Sequence, residues 1–113
     1  MPETFPAIVI EDQDGKPKAA VRQLKLSDLP DHDVLVEVAC SSLNYKDGLA
    51  VLGKGIARRR PLIAGIDLAG TVVESRSPAW VKGVRVVVNG WGLSETEDGG
   101  FSRFQRVEPE WIV

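Results

Sequence analysis

Apolar and polar positions alternate in short bursts along this chain, and turn residues separate the bursts at close intervals. Phe5 to Glu11, centred on Ile8-Val9-Ile10, predicts a first strand. It ends in Glu11-Asp12-Gln13-Asp14-Gly15-Lys16, where Asp14-Gly15 is a tight-hairpin signal, so the next strand is expected to fold back on the first. There Ala20, Arg22 and Leu24 share one face while Val21, Gln23 and Lys25 share the other, an imperfect alternation that suits an edge or half-buried strand. Ser27 to Asp33, with Pro30 inside, reads as a loop. Val34 to Cys40 is the best strand of the N-terminal half, with Val34, Val36 and Val38 on one face.

Ser41-Ser42-Leu43-Asn44 supplies N-cap chemistry ahead of Tyr45 to Leu52, which predicts two helical turns stopping at Gly53. Gly53-Lys54-Gly55 and Arg58-Arg59-Arg60-Pro61 mark an exposed connection, after which Ile66 to Glu74 resumes β character. Gly65 and Gly70 bracket that strand and imply a bend or a close backbone approach. Ser77-Pro78-Ala79-Trp80 turns the chain, Val84 to Val88 forms a strand, and Asn89-Gly90-Trp91-Gly92 ends it. A long polar loop through Gly99-Gly100 leads to a last strand over Phe101 to Val107. About six short strands and one short helix, spaced by turns, fit a mainly β domain of the small barrel or sandwich kind. The apolar ending Trp111-Ile112-Val113 suggests a surface to pack against, as in a fragment of a longer polypeptide.

Composition narrows the function classes. With 113 residues, 14 basic and 16 acidic, the chain carries one core and a net charge of −2. That balance gives no long-range field to attract a phosphate backbone, so nucleic-acid binding ranks low. Cys40 is the single cysteine, which excludes an intramolecular disulfide and makes a reducing cytoplasm the best-fitting compartment. No apolar run approaches the ~18 residues of a membrane span, and Met1 to Pro6 lacks the basic start of a signal peptide.

Candidate chemistry is sparse. His32 has no second histidine or nearby cysteine with which to hold a metal and reads as a solvated loop residue. No Gly-x-Ser-x-Gly elbow and no Gly-x-Gly-x-x-Gly fingerprint occurs, which sets hydrolase and dinucleotide-binding readings aside for this piece alone. Trp80, Trp91 and Trp111 read as core or interface packing, and Cys40 as a small buried apolar residue. Two features stay open. The cluster Ser41 to Asp47, at a strand-to-helix junction, suits either a site or a plain N-cap with a solvated first turn, and Arg58-Arg59-Arg60 suits either phosphate binding or a solvated run.

Taken in order, Ser41-Ser42-Leu43-Asn44-Tyr45-Lys46-Asp47, Gly53-Lys54-Gly55, Pro61 to Val72, Val88-Asn89-Gly90-Trp91-Gly92 and Gly99-Gly100-Phe101 resemble the N-terminal domain of medium-chain dehydrogenase/reductases. The resemblance covers nearly the whole chain and points to the acrylyl-CoA reductase branch of the quinone-oxidoreductase-like group. It implies a GroES-like, partly open β-barrel over residues 1–113, followed in full-length relatives by a Rossmann domain that binds NADPH. Asn44 and Ile66 stand where the zinc-dependent branch places ligand cysteine and histidine, so the resemblance implies a zinc-free enzyme. Val84 departs from the Gly-Asp usual before the next strand, with a local effect on stability expected.

The implied reaction is hydride transfer from NADPH to the β-carbon of an α,β-unsaturated acyl thioester. By resemblance, Asn44 and Tyr45 are the catalytic donors, with Tyr45 beside the nicotinamide; Asp47 orients the junction. Asp67 is a supporting carboxylate, and Arg59 or Arg60 meets phosphates of NADPH or coenzyme A. The alternatives are a zinc-free quinone or enone reductase and a free-standing GroES-like interaction module. The full-length form is expected to be a cytoplasmic homodimer with a small-molecule substrate and no nucleic-acid or membrane partner, and this chain alone is expected to be inactive.

Overall fold

The computed structural model describes residues 3–13, 15–42, 61–94 and 97–113. Among them, seven strands form two antiparallel sheets: β1 (Phe5–Gln13), β2 (Lys16–Leu24), β3 (Val34–Cys40), β4 (Leu62–Ile63), β5 (Asp67–Ser75), β6 (Arg85–Asn89) and β7 (Phe104–Val107). The first sheet has the order β2-β1-β4 and the second β6-β5-β3-β7. Short 3-10 turns cover Leu26–Asp28 and Pro109–Trp111. The helix expected over Tyr45 to Leu52 lies outside the described residues.

The β1–β2 hairpin turns where Asp14-Gly15 predicts it, with Gly15 at φ +79° and Gln13 paired to Lys16. β2 is an edge strand, as its imperfect alternation foretells, and it leaves Val21 exposed. β4 goes beyond the sequence reading, because two residues carry no alternation to detect.

Residues 101–103 join the sheets. Ile8 N–H donates to Phe101 O at 2.8 Å, Arg103 N–H to Pro6 O at 3.2 Å, and Val38 N–H to Arg103 O at 2.8 Å. The sheets thereby curl into a mainly β, partly open barrel rather than a closed one. The loop expected to be long and polar is instead packed at its end, where Gly99 and Gly100 are buried and Gly99 N–H donates to Ile63 O at 2.8 Å.

Among the described residues two large hydrophobic clusters and a small third one, Ile10 with Ala64, fill the domain. One large cluster gathers Val34, Val36, Leu68, Val72, Val86, Val88, Leu93 and Ile112; the other gathers Phe5, Ala7, Val9, Leu29, Leu35, Ile63 and Phe104. β3 feeds both, so Leu35 is buried opposite the valine face. Phe5 and Phe104 meet edge-on at 5.3 Å. Gly70 satisfies the expected close approach, since a Cβ there would lie 2.2 Å from Glu37 O. At Gly65 the φ of +103° and a Cβ position 2.7 Å from Phe101 N leave room only for glycine.

Three readings need correction. Cys40 is exposed, because the pairing with β5 is irregular between Val38 and Cys40 as β3 leaves the sheet. His32 is not a solvated loop residue. Its ring lies edge-on to Trp111 at 4.9 Å, with Nδ1 2.6 Å from Glu108 Oε1 and Nε2 3.3 Å from Glu97 Oε2. Trp91 is an exposed side chain, which overturns the core half of its core-or-interface reading.

Candidate functional site

Antiparallel pairing brings three strand ends together. β3 finishes at Cys40, which pairs with Ala69 of β5, while Asp67 at the start of β5 pairs with Asn89 at the end of β6. Asp67 is thus placed under the chain as it leaves β3. Ser41 Oγ donates to Asp67 O at 2.7 Å and lies 3.1 Å from Oδ1; Ser42 N–H donates to Oδ1 at 2.8 Å, and Ser42 Oγ donates to Oδ2. An ionised carboxylate only accepts, so two successive serines presenting one amide and two hydroxyls are matched to it. Asp67 is half-buried, which lowers the dielectric around these bonds relative to a free surface pair.

These groups border a small hollow of about 160 Å³, floored by Leu68 and Ala69 and rimmed by Cys40, Ser41, Ser42, Asp67 and Asn89. It has the makings of a polar ledge on an apolar floor, a common form for a substrate pocket. A larger open groove of about 760 Å³ lies elsewhere, between the loop through His32 and the turn at Trp80. Its arginines are already engaged: Arg76 donates to Asp31 Oδ1 at 2.9 Å and Arg106 to Leu26 O at 2.6 Å. Both arginines thus already serve neighbouring groups, and the hollow at the strand ends, where several donors converge on Asp67, is the stronger candidate.

Of the residues singled out from sequence, Asp67 is described and meets the segment leading into the Asn44 motif. Asn44, Tyr45, Asp47, Arg59 and Arg60 lie outside the described residues. Ser41 and Ser42, read as N-cap residues, prove to be the partners of Asp67, and nothing in their spacing signals a contact 25 residues away. Trp91 was legible only as part of Asn89-Gly90-Trp91-Gly92, where flanking glycines hint at an unusual backbone. Among the described residues no group of three or more His, Cys, Asp or Glu side chains could hold a metal, and no helix is long and apolar enough to cross a membrane.

Comparisons with known proteins bear on this arrangement. The family model "Alcohol dehydrogenase GroES-like domain" matches residues 30–113. "Probable acrylyl-CoA reductase AcuI" of Escherichia coli is 49% identical over 108 residues, covering 95% of this chain and 33% of that protein. "Putative quinone oxidoreductase YhfP" of Bacillus subtilis is 40% identical, covering 100% of this chain and 34% of that protein. The crystal structure of the yhdH oxidoreductase from Salmonella enterica in complex with NADP superposes with a TM-score of 0.91 at 45% identity, over 96% of this chain and 34% of that one. The chain spans about a third of the length of the curated relatives it matches.

Proposed function

Because the chain belongs to the alcohol dehydrogenase GroES-like domain family, in the branch of acrylyl-CoA reductases and quinone-oxidoreductase-like proteins, we propose that it forms the substrate side of the cleft of an NADPH-dependent enoyl-thioester reductase. The observation that carries this reading is Asp67 gripping Ser42 through its carboxylate and Ser41 through its main-chain oxygen, just ahead of Asn44-Tyr45-Lys46-Asp47 in the chain. In this reading residues 1–113 are the catalytic domain and a Rossmann domain follows. The likeness to an NADP-bound oxidoreductase supports the choice of nicotinamide cofactor.

NADPH, when bound, supplies the hydride that goes to the β-carbon of the α,β-unsaturated acyl group. This chain's residues would bind and orient the substrate. As negative charge develops on the thioester oxygen, it requires donors already aimed at it, the role assigned to Asn44 and Tyr45. Tyr45 also borders the nicotinamide, Asp47 orients the junction, and Arg59 or Arg60 meets phosphate oxygens. Asp67 holds the chain entering this motif, so that the donors are set before substrate arrives. Zinc plays no part in the proposal, since an amide at Asn44 and an aliphatic side chain at Ile66 replace ligand types that zinc requires. We place the full-length form in the cytoplasm, as a homodimer acting on acyl-CoA.

The likeness to the Bacillus protein favours one second reading, a zinc-free quinone or enone reductase. A chimera in which this chain replaces the matching third of the Escherichia coli relative separates the two. NADPH oxidation with acrylyl-CoA exceeding that with a quinone, and falling in Tyr45→Phe, is the expected result; the reverse preference would assign the quinone reading.

A further inference from the structure

Trp91 has an exposure that packing among the described residues leaves unexplained. Its side chain is 55% exposed, whereas Trp111 is 9% exposed and Trp80 packs on the core and donates from Nε1 to Pro109 O at 3.0 Å. Its backbone is in the left-handed region, φ 56°, between Gly90 at 81° and Gly92 at 80°. Glycine enters that region freely; a bulky side chain does so at a cost. The surrounding loop fixes it there. Gly90 N–H donates to Ile66 O at 3.0 Å, Leu93 N–H to Gly90 O at 3.1 Å, and Glu97 N–H to Gly92 O at 3.0 Å, with Leu93 buried in the core. Strained backbone retained under a solvent-facing aromatic points to function rather than packing.

The place is informative as well. Asn89 pairs with Asp67 and Ile66 holds Gly90, so Trp91 leaves the sheet at the end where Ser41 and Ser42 meet Asp67. We infer that Trp91 is a substrate-binding residue whose indole face stacks on the planar conjugated acyl group of an enoyl thioester. The inference rests on the function proposed above. An indole face favours a flat π system over a saturated chain, and a conjugated C=C–C=O unit is flat where its reduced product is not. Trp91 would then discriminate substrate from product without touching the proton or hydride.

The test uses the 113-residue chain. Wild type, Trp91→Ala, Trp91→Phe and Trp91→Gly are titrated with crotonyl-CoA, butyryl-CoA and free coenzyme A, following tryptophan emission and saturation transfer from indole to acyl protons. Crotonyl-CoA should quench wild-type emission saturably and bind more tightly than butyryl-CoA. Binding should weaken roughly tenfold in Trp91→Ala and hold within about threefold in Trp91→Phe. Trp91→Gly should melt at a higher temperature yet lose binding, a pairing that a merely structural tryptophan would not give.

No saturable binding to the wild-type chain, equal binding by Trp91→Ala, or equal binding of all three ligands would overturn the inference. Turnover in the chimera distinguishes the two proposals. Reduction of acrylyl-CoA with an unchanged KM in Trp91→Ala removes the role of Trp91 and keeps the proposed function; Trp91-dependent binding without turnover does the opposite.

Discussion

Asp67 joins local stability to the proposed chemistry through one carboxylate. Its carboxylate accepts from Ser42 N–H at 2.8 Å and from the Ser42 hydroxyl, so its removal strands both Ser42 donors, while the Ser41 hydroxyl keeps the main-chain Asp67 O. In the chimera, Asp67→Ala should reduce kcat/KM for acrylyl-CoA by about 100-fold through misplacement of the following motif, with Asp67→Asn recovering part of the loss. Equal activity in all three would sever Asp67 from the site. Ser94 is a second residue under tension: its φ is 69°, it is fully buried, and among the described residues its hydroxyl finds no partner. Ser94→Gly relieves both and should raise unfolding stability by about 1 kcal/mol, measured by denaturant titration. At this scale the sequence is readable for chemistry and unreliable for depth. Cys40 and Trp91 are apolar enough to expect inside, but a strand leaving its sheet and a left-handed turn put them outside.

Strands obey simpler rules. The β1–β2 hairpin is legible because Asp14-Gly15 dictates a turn, and an ion pair clasps its exposed side: Arg22 Nη2 lies 2.8 Å from Glu11 Oε1. The Arg22 hydrogen bond, joined by its charge, holds the Glu11 carboxyl below the usual carboxylate range. A depressed carboxylate stabilises the fold above its unfolded pKa, and that contribution is lost as pH falls through the folded value. A carbon-detected NMR titration should show Glu11 returning to the ordinary range in Arg22→Gln; an unchanged midpoint would mean that the pair does not form in solution. The effect on stability will be small, because the pair is solvent-exposed. Gly70 is a harder constraint. A methyl group 2.2 Å from the Glu37 carbonyl oxygen must force β3 and β5 apart, so Gly70→Ala should cost about 3 kcal/mol in unfolding free energy. β4 and the second buried face of β3 escape a pattern reading, since a two-residue strand shows no period and alternation reports one face at a time.

The architecture of the whole molecule follows from long-range contacts that no local pattern reveals. Residues 101–103 couple the two sheets, and the His32 ring ties the loop after β2 to Glu97 and Glu108, 65 and 76 residues away. The fold class was nonetheless legible, because ordered glycine and apolar motifs along the chain resemble one family closely enough to carry its barrel. The site was legible only in residue types. Its proposed donors, Asn44 and Tyr45, were found by resemblance, whereas the bonds from Ser41 and Ser42 to Asp67 required the folded chain. In the proposed function this domain supplies half of a reductase cleft, completed by a nicotinamide-binding domain. The most direct test measures NADPH oxidation with acrylyl-CoA by the 113-residue chain alone and by the chimera carrying the remaining two-thirds of the Escherichia coli relative. Turnover by the chimera, none by the chain alone, and a loss in Tyr45→Phe are the predicted results. A folded chimera that binds NADPH but leaves acrylyl-CoA unreduced would rule this role out.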